Sequence, residues 1–381
     1  MKLSATKFRL ISLGLAILLA TPLSPGPLTG LYLWTSPFIM LNTALARHTL
    51  GVLHLVAVLV LIVSLIRHRW YCKWICPAGV LCDAASKTRN SAIRTNRIPG
   101  LNKIVVITGL VIAIFGLPLL SLLDPINIFY AFFNAFYEQP AGIILLRLSG
   151  LILVVAVNFA VPHVWCRKLC PLGGLQDMLT SLRHLFTKKE KIALHSPEGR
   201  RLALGTLLGF GFGLTFRKAV AFTSKTQIRP PGAMPEVQFK TVCIRCGNCI
   251  KACPTAIIRP CFDPSDIMGL LTPHIAFDTS YCLRDCTLCG DVCPSTAIKR
   301  FTQTDKQKLF MGVARIQRDG CLLTEHKECD LCRRYCEYDA VKIESSNGDL
   351  NVLPEILTDR CVGCGACKVV CPVSVIDILP V

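Results

Sequence analysis

Cysteine is the residue type whose number and spacing point most directly to chemistry in this chain. There are 22 cysteines, and sixteen of them fall into four tight groups after residue 242. Two groups have the spacing C-x2-C-x2-C-x3-C-P of bacterial ferredoxins, in which three close thiolates bind one [4Fe–4S] cluster and the fourth ligates another. We number the groups as runs 1 to 4, with Cys243, Cys246, Cys249 and Cys253 in run 1; Cys282, Cys286, Cys289 and Cys293 in run 2; Cys321, Cys329, Cys332 and Cys336 in run 3; and Cys361, Cys364, Cys367 and Cys371 in run 4.

Runs 2 and 3 are variants of this spacing. Run 2 lengthens the first gap by one residue, whereas run 3 lengthens it further and has Glu337 in place of the proline. Both keep the C-x2-C-x3-C core, so we expect four [4Fe–4S] clusters. Zinc is the alternative, but zinc sites are typically built from pairs of C-x2-C. Disulfide scaffolds rarely repeat one short spacing.

Short apolar stretches flank the runs and have the composition of strands. The order strand, cysteine loop, helix, strand predicts an α+β ferredoxin-like fold used twice. We expect run 1 to pair with run 4, so that Cys371 serves the cluster of run 1. Cys261 and Cys82 lie outside these groups, and we interpret them as buried thiols without a ligand role. The strand-like stretches are 256–258, 275–277, 297–298, 314–316, 341–343, 356–357 and 375–378.

A second cysteine pattern is repeated in the N-terminal half. Residues 70–79 contain the motif C-x3-C-P, which recurs at residues 165–173 with the paired cysteines 94 residues apart. If the two copies pack together, their four thiolates can hold one shared fifth cluster; bound zinc and a reducible dithiol are the alternatives. A c-type haem is excluded because no C-x2-C-H motif occurs. The candidate metal ligands here are Cys72, Cys76, Cys166 and Cys170.

The elements that must position these cysteines are unusually apolar. Hydrophobic residues make up 52% of the chain and charged residues 17%, and most of the apolar excess lies before residue 223. A spanning helix needs about 20 apolar residues. Five segments predict a multi-span α-helical membrane domain ahead of the ferredoxin-like domain: 8–28, 49–66, 103–123, 142–161 and 202–222.

Basic residues predict the orientation of these segments, because Lys and Arg concentrate in cytoplasmic loops. They cluster at the N-terminus and after the second and fourth segments. We therefore expect a multi-pass protein of the bacterial cytoplasmic membrane, with a cytoplasmic N-terminus and a periplasmic ferredoxin domain. The same clustering accounts for the net charge of +18 without nucleic-acid binding, since interleaved basic and aromatic residues are missing. Arg200 and Arg201 fit a twin-arginine export signal or plain anchoring.

The two halves resemble two known families. Residues 1–190 resemble NapH-type membrane subunits of a quinol dehydrogenase in their four spans and two C-x3-C-P turns. The remainder resembles NapG- and MauM-type polyferredoxins in the Cys321-x7-Cys329 gap and in the segments RPPGA (229–233), PE (235–236), Phe239 and CIRCG (243–247). Unlike NapH-type proteins, the chain has no ferredoxin run between Cys170 and the fifth segment. We expect domains at 1–190, 191–222 (fifth helix), 223–242 (linker) and 243–381.

The resemblance implies oxidation of a membrane quinol within a larger membrane complex. Electrons would pass through the clusters to an extracytoplasmic redox partner, a reductase or a cytochrome c. Three alternatives stay open: electron flow into the quinone pool, a redox assembly factor that reduces a metal or disulfide, and an anchoring module.

Quinol oxidation needs a proton acceptor beside an apolar slot, and ionisable residues in or beside spans are the candidates. His54 and Arg147 lie near the outer ends of the second and fourth segments, and Asp124 and Glu138 border the same face. Alternatively, His54 hydrogen-bonds a neighbouring helix and Arg147 snorkels to the interface.

Overall fold

The computed structural model of the chain divides into two compact units. Unit one is helical and comprises residues 1–224 together with 237–247 and 294–296, so it includes Cys243 and Cys246. Unit two comprises residues 225–236, 248–293 and 297–381, and it contains the other cysteines of the four runs. The residues that the structure describes are 2–21, 26–49, 54–88, 100–137, 141–188, 197–222, 226–317, 319–325, 327–345 and 352–381.

Unit one is built from α-helices, several of which start at a proline. Proline suits the first helical position because its missing N–H would have no partner there. Ser36 and Asp124 precede two of these prolines, and each side chain accepts a hydrogen bond from the first turn. The α-helices are Lys2–Ala20, Leu31–Trp34, Pro37–Arg47, His54–Ile66, Trp70–Trp74, Pro77–Lys87, Asn102–Ile114, Pro125–Asn134, Ala141–Ala160, Pro171–Lys188 and Pro197–Phe222, with 3₁₀ turns at Gly26–Gly30, Leu119–Leu123 and Ala135–Tyr137, a π-helical turn at Trp165–Leu169, and helix Glu236–Val242 further along the chain.

A helix occurs at each segment that was expected to cross a membrane. Within the described residues, one helix, Ala141–Ala160, has the length and apolar composition of a membrane span. The apolar helices His54–Ile66 and Asn102–Ile114 have 13 residues each and are shorter than a span. The first helix, Lys2–Ala20, ends before the prolines rather than at residue 28. The structure therefore supplies one candidate span of full length instead of the five that were expected.

Helix Ala141–Ala160 has polar residues on its buried side and leucines on its exposed side. Arg147 and Asn158 are among the buried residues, together with Leu151. Leu145 and Leu153 are 69% and 64% exposed. A helix on the surface of a soluble protein normally turns its apolar stripe inward. The outer face of this helix is therefore apolar where a soluble protein would be polar.

Unit two carries short antiparallel strand pairs. Two of the pairs lie between neighbouring cysteine runs, and the third joins the strand before run 3 to the strand after run 4. In the described residues the pairs are β1 (Ile258–Pro260) with β2 (Pro273–Ile275), β3 (Gly312–Ile316) with β6 (Ile376–Pro380), and β4 (Val341–Ser345) with β5 (Val352–Ile356); the short helices are Asn248–Ala252, Leu288–Asp291, Gln303–Lys306, Leu331–Arg334 and Ala366–Val370.

The strand pairing shows which runs share a fold. β3 precedes run 3 and pairs with β6, which follows run 4, while β4 and β5 pair between these two runs. Runs 1 and 2 repeat the pattern, because β1 and β2 pair between them and Ala233 bridges Ile298 at their outer ends. The ferredoxin-like α+β fold is therefore confirmed and used twice. The predicted pairing of runs 1 and 4 is wrong, because each fold is closed between neighbouring runs.

A buried ion pair fixes the segment that leads into the first ferredoxin fold. Arg229 donates to both carboxylate oxygens of Glu236, at 2.8 and 2.6 Å, and to Thr272 Oγ1 at 3.0 Å. Gly232 has a φ of +77°, and a Cβ there would lie 2.9 Å from the ring of Phe301. The RPPGA and PE segments are therefore structural features of this fold.

Candidate iron–sulfur centres

Three cavities in unit two are each lined by four cysteine side chains. Each cavity takes three thiols from one run and the fourth from the neighbouring run. The three cavities, numbered I, II and III, are similar in size. Cavity I is lined by Cys253, Cys282, Cys286 and Cys289; cavity II by Cys336, Cys361, Cys364 and Cys367; and cavity III by Cys321, Cys329, Cys332 and Cys371.

This exchange follows the ferredoxin rule that the fourth cysteine of a run serves the other cluster of its fold. Cys253 of run 1 lies with run 2, and Cys336 of run 3 lies with run 4. Cys371 of run 4 lies with run 3, beside Cys332. The prediction that Cys371 serves the cluster of run 1 is therefore wrong, for the same reason as the predicted pairing of runs 1 and 4.

The chemistry of the donor sets fits [4Fe–4S] clusters. In the part of the chain that the structure describes, no three His, Cys, Asp or Glu side chains are arranged to hold one metal ion. Thiols spread around a cavity suit a polynuclear centre, in which each sulfur binds a different iron atom. Burial raises the pKa of Cys332 to about 11 and that of Cys364 to about 12, so ligation must displace the thiol protons.

The two C-x3-C-P turns of unit one have the same local geometry. Gly79 and Gly173 follow the two prolines, and a Cβ at these positions would lie 2.8 and 2.7 Å from the carbonyl oxygen of the first cysteine in the same turn. Three residues before that cysteine the backbone is left-handed in both copies, with φ of +50° at Arg69 and +60° at His163. The sequence repeat is therefore also a structural repeat.

Each turn contacts the helix that follows the other turn. Gln176 Nε2 donates to Cys72 Sγ at 2.9 Å. Cys82 stands at the position equivalent to Gln176, and its thiol interacts electrostatically with Cys166. Such reciprocal contacts are expected when two copies are related by an approximate twofold axis, because residue i of one copy then contacts residue j of the other, and the reverse contact also forms.

The thiols of the two turns lie together. Burial and the facing Cys166 raise the pKa of Cys72 to about 12. Cys76 and Cys170 are 3% and 2% exposed, and both interact electrostatically with Cys72. Cys82 is a fifth thiol beside this group, although the sequence interpretation gave it no role. Its equivalence to Gln176 in the repeat is the signal that would have found it.

The loop between Cys243 and Cys246, here called the run 1 loop, is held by three buried side chains of unit one. Asn127, Asn134 and Arg147 donate to the backbone oxygens of residues 244, 246 and 245, at 2.8, 2.7 and 2.7 Å. These side chains are 3%, 1% and 4% exposed, and Cys246 belongs to the hydrophobic core of unit one. Arg147 therefore does not snorkel, and it contacts a cysteine loop. Sequence reasoning missed both asparagines.

Two other candidate quinol residues, His54 and Asp124, are buried in unit one. His54 is 9% exposed and is the first residue of helix His54–Ile66. Asp124 is fully buried, and its carboxylate accepts from Ser36 Oγ at 2.7 Å and from the N–H of Ile126 at 2.9 Å. Burial raises the pKa of Asp124 to about 6. Glu138 lies outside the described residues.

Known families match the same cysteine groups. A 4Fe-4S binding domain matches residues 49–96 and 143–191, which contain the two C-x3-C-P turns. A 4Fe-4S dicluster domain matches residues 242–298, which contain runs 1 and 2, and a 4Fe-4S binding domain matches residues 354–377 around run 4. These matches support multiple [4Fe–4S] clusters. No solved structure matches the chain.

Successive ferredoxin folds that exchange their fourth cysteines define an iron–sulfur electron-transfer protein. The chain is 30% identical to the ferredoxin-type protein NapG of Escherichia coli (strain K12), over 46% of this chain and 80% of that protein. It is 33% identical to the methylamine utilization ferredoxin-type protein MauM of Methylophilus methylotrophus, over 51% and 88%. It is 31% identical to the ferredoxin-type protein NapF of Escherichia coli (strain K12), over 39% and 82%. The chain belongs to the family of NapG and MauM ferredoxin-type proteins.

Proposed function

We propose that the chain is a membrane-bound subunit of the quinol dehydrogenase type, which oxidises quinol and delivers the electrons to a redox partner outside the cytoplasm. In this proposal, residues 1–190 form a NapH-type membrane domain that is fused to the NapG- and MauM-type polyferredoxin. When bound, each [4Fe–4S] cluster takes up and releases one electron at a time. The partner is a reductase or a cytochrome c, and the chain works within a larger membrane complex.

The observation that carries this proposal is the anchoring of the run 1 loop in unit one. Its donors, Asn127, Asn134 and Arg147, come from the helices Pro125–Asn134 and Ala141–Ala160. Losing a buried hydrogen bond costs about 1–3 kcal/mol when its partner stays unsatisfied, so three of them hold the loop firmly. Because electron transfer slows steeply with distance, a fixed loop suits a ferredoxin centre that exchanges electrons with the helical unit.

The ligand assignments follow from the cavities and from the ferredoxin rule. Cavities I to III supply the ligands of three clusters. Because Cys253 serves run 2, the reciprocal rule assigns Cys293 to the cluster of run 1. The two turns hold a shared fifth cluster through Cys72, Cys76, Cys166 and Cys170.

Exposed apolar side chains on several helices support the membrane location. Leu59 and Ile66 in helix His54–Ile66 are 63% exposed, and Leu207 in helix Pro197–Phe222 is 70% exposed. Together with Leu145 and Leu153, they make an apolar surface of a kind that soluble monomers rarely expose. We propose a multi-pass arrangement with a cytoplasmic N-terminus and a periplasmic polyferredoxin.

The quinol site is proposed near the buried ionisable residues of unit one. Quinol releases protons as it is oxidised, so an acceptor must lie beside its hydroxyl groups. An imidazole nitrogen of His54 is the proposed acceptor, and Asp124 and Glu138 are candidates for passing the proton outward. Arg147 lies between this region and the run 1 loop in the proposal, where its charge would favour an anionic quinol.

The experiment is anaerobic iron and acid-labile sulfide quantification of the full chain in detergent, followed by EPR after addition of a menaquinol analogue. We expect iron for four or five clusters and new signals of reduced clusters. Full iron without a response to quinol, but with reduction by dithionite and transfer to a quinone, would favour flow into the quinone pool. Iron for fewer than four clusters in protein isolated without cluster loss would overturn the proposal.

A further inference from the structure

A lysine is buried in the wall of cavity I. Lys306 is 1% exposed, and its ammonium donates to the backbone oxygen of Leu283 and, at 2.7 Å, to that of Cys286. It lines the cavity together with Cys282, Cys286 and Cys289. A buried ammonium is unfavourable unless a negative charge compensates it. Carbonyls and thiols carry no full charge, so the thiolates of a bound cluster are the counter-charge that this position fits.

The longer first gap of run 2 accommodates this lysine. Leu283 and Asp285 lie in that gap, and the short helix Gln303–Lys306 contacts both, since Gln303 Nε2 donates to the backbone oxygen of Asp285 at 3.0 Å. The helix is fixed at its start by a capping box between Thr302 and Asp305. The carbonyls that hold Lys306 against the cavity thus belong to Leu283 in this gap and to Cys286 at its end.

Cavities II and III differ from cavity I in this respect. All three are lined by four cysteines and have similar volumes. Among the described residues, the linings of cavities II and III contain no lysine or arginine, and apart from Tyr338 their remaining side chains are apolar. Of the three cavities, cavity I is therefore the one with a fixed cation in its wall.

We infer that Lys306 raises the reduction potential of the cluster in cavity I above those of the clusters in cavities II and III. A [4Fe–4S] core with four thiolates is anionic and gains one negative charge on reduction, so a fixed cation stabilises the reduced form more than the oxidised form. An electron that can reach all three clusters then resides mainly on the cluster in cavity I. The inference rests on the proposed occupancy of this cavity.

The test is anaerobic potentiometric titration with dithionite, followed by EPR, of the full chain in detergent. Cys253→Ala identifies the signal of cavity I, because that variant should lose this signal and the matching iron. Lys306→Gln keeps a neutral hydrogen-bond donor, whereas Lys306→Arg keeps the charge. We expect Lys306→Gln to lower the reduced-to-oxidised ratio of cavity I at least tenfold at a fixed potential, which is 59 mV for one electron. Lys306→Arg should change the ratio less than threefold.

The other possible results overturn either the inference about Lys306 or the proposed occupancy of cavity I. An unchanged ratio in Lys306→Gln with full iron content would overturn the inference, and so would an equal shift in Lys306→Arg. Loss of the cavity I iron in both variants would show a structural role instead and would also overturn it. If Cys253→Ala removes no iron or signal, the proposed occupancy of cavity I is what fails, and this result is separate from the tuning measurement.

Discussion

Arg69, just before the first C-x3-C-P turn, holds Asp177 in the helix after the second turn, with Nε and Nη2 donating at 2.6 and 2.5 Å. The equivalent positions of the opposite copies are also paired, since His163 Nδ1 lies 3.4 Å from Asp83. Polar contacts that cross between the copies in both directions fix one turn against the other. The two cysteine pairs of the repeat are therefore held face to face by residues outside the motif.

Replacing Asp177 should separate the two turns. Asp177→Ala removes both hydrogen bonds from Arg69, and bonds to charged groups contribute about 1.5–3 kcal/mol. We expect a lower thermal midpoint in detergent and loss of the iron bound at the turns. His163→Asn is the matched control, because it removes the longer and more exposed contact to Asp83, leaves the ion pair between Asp83 and Arg9 in place, and keeps a residue that tolerates the left-handed backbone. An equal effect of the two variants would contradict this reading of the repeat.

The cavities predict which cluster each outer cysteine serves. Cys371→Ala should remove the iron of the cluster held by run 3 and leave the cluster of run 1 intact, because Cys371 lines cavity III. Iron analysis and EPR of the purified variant measure this result. Cys261→Ala is the control, since this thiol is buried but lines none of the three cavities. Loss of the run 1 signal in Cys371→Ala would refute the assignment.

Sequence spacing predicted which cysteines gather but not how the runs combine. The C-x2-C-x3-C core binds locally, so its ligands can be read along the chain. Which run receives Cys253 or Cys371 depends on strand pairs such as β3 with β6, whose partners lie far apart in the sequence. The regular spacing shared by runs 1 and 4 suggested that these two runs pair with each other. Cysteine spacing carries no information on strand partners, and the suggested pairing was wrong.

The polar contacts of unit one were harder to predict for a similar reason. Asn127 and Asn134 lie in an apolar helix, and nothing in their local sequence indicates that they donate to backbone oxygens more than a hundred positions later. Apolar length likewise predicted five helices, but a helix such as Asn102–Ile114 ends where its own backbone turns. Composition therefore indicates where a helix can form but not where it ends.

Asp124 should give the chain a measurable pH dependence. Its pKa is raised to about 6 by burial, above the value of about 3.9 expected in the unfolded chain. The stability that protonation of this group contributes is fully present below about pH 4 and is lost as the pH rises through about 6. Asp124→Asn should remove this component, and thermal unfolding at pH 4.5 and 7.5 measures it. A variant with the unchanged pH slope would contradict the prediction.

His54 tests the proposed quinol site. His54→Ala should abolish quinol-dependent cluster reduction while iron content and reduction by dithionite stay normal. His48→Asn is the control, because His48 is an exposed residue with a left-handed backbone, which asparagine tolerates. Anaerobic EPR after addition of a menaquinol analogue separates the two. Normal quinol response in His54→Ala would remove this residue from the proposed site.

The run 1 loop should lose its fixed position when its donors are removed. Asn127→Ala with Asn134→Ala removes one hydrogen bond from each of two buried backbone oxygens, at a cost of about 1–3 kcal/mol each. Ser149→Ala is the matched control in helix Ala141–Ala160, because Ser149 is exposed and contacts only its own helix in the bond described, to Leu146. Thermal unfolding in detergent should show a lower midpoint in the double variant alone.

The same double variant separates an anchoring role from a ligand role. The asparagines contact backbone oxygens and no sulfur in these bonds, so iron content and dithionite reduction should remain near native. Quinol-dependent reduction should slow, because the run 1 loop is no longer held in one position within unit one. Full-rate reduction by quinol in a destabilised variant would mean that electrons enter the polyferredoxin elsewhere, and the run 1 loop would then be a structural contact only.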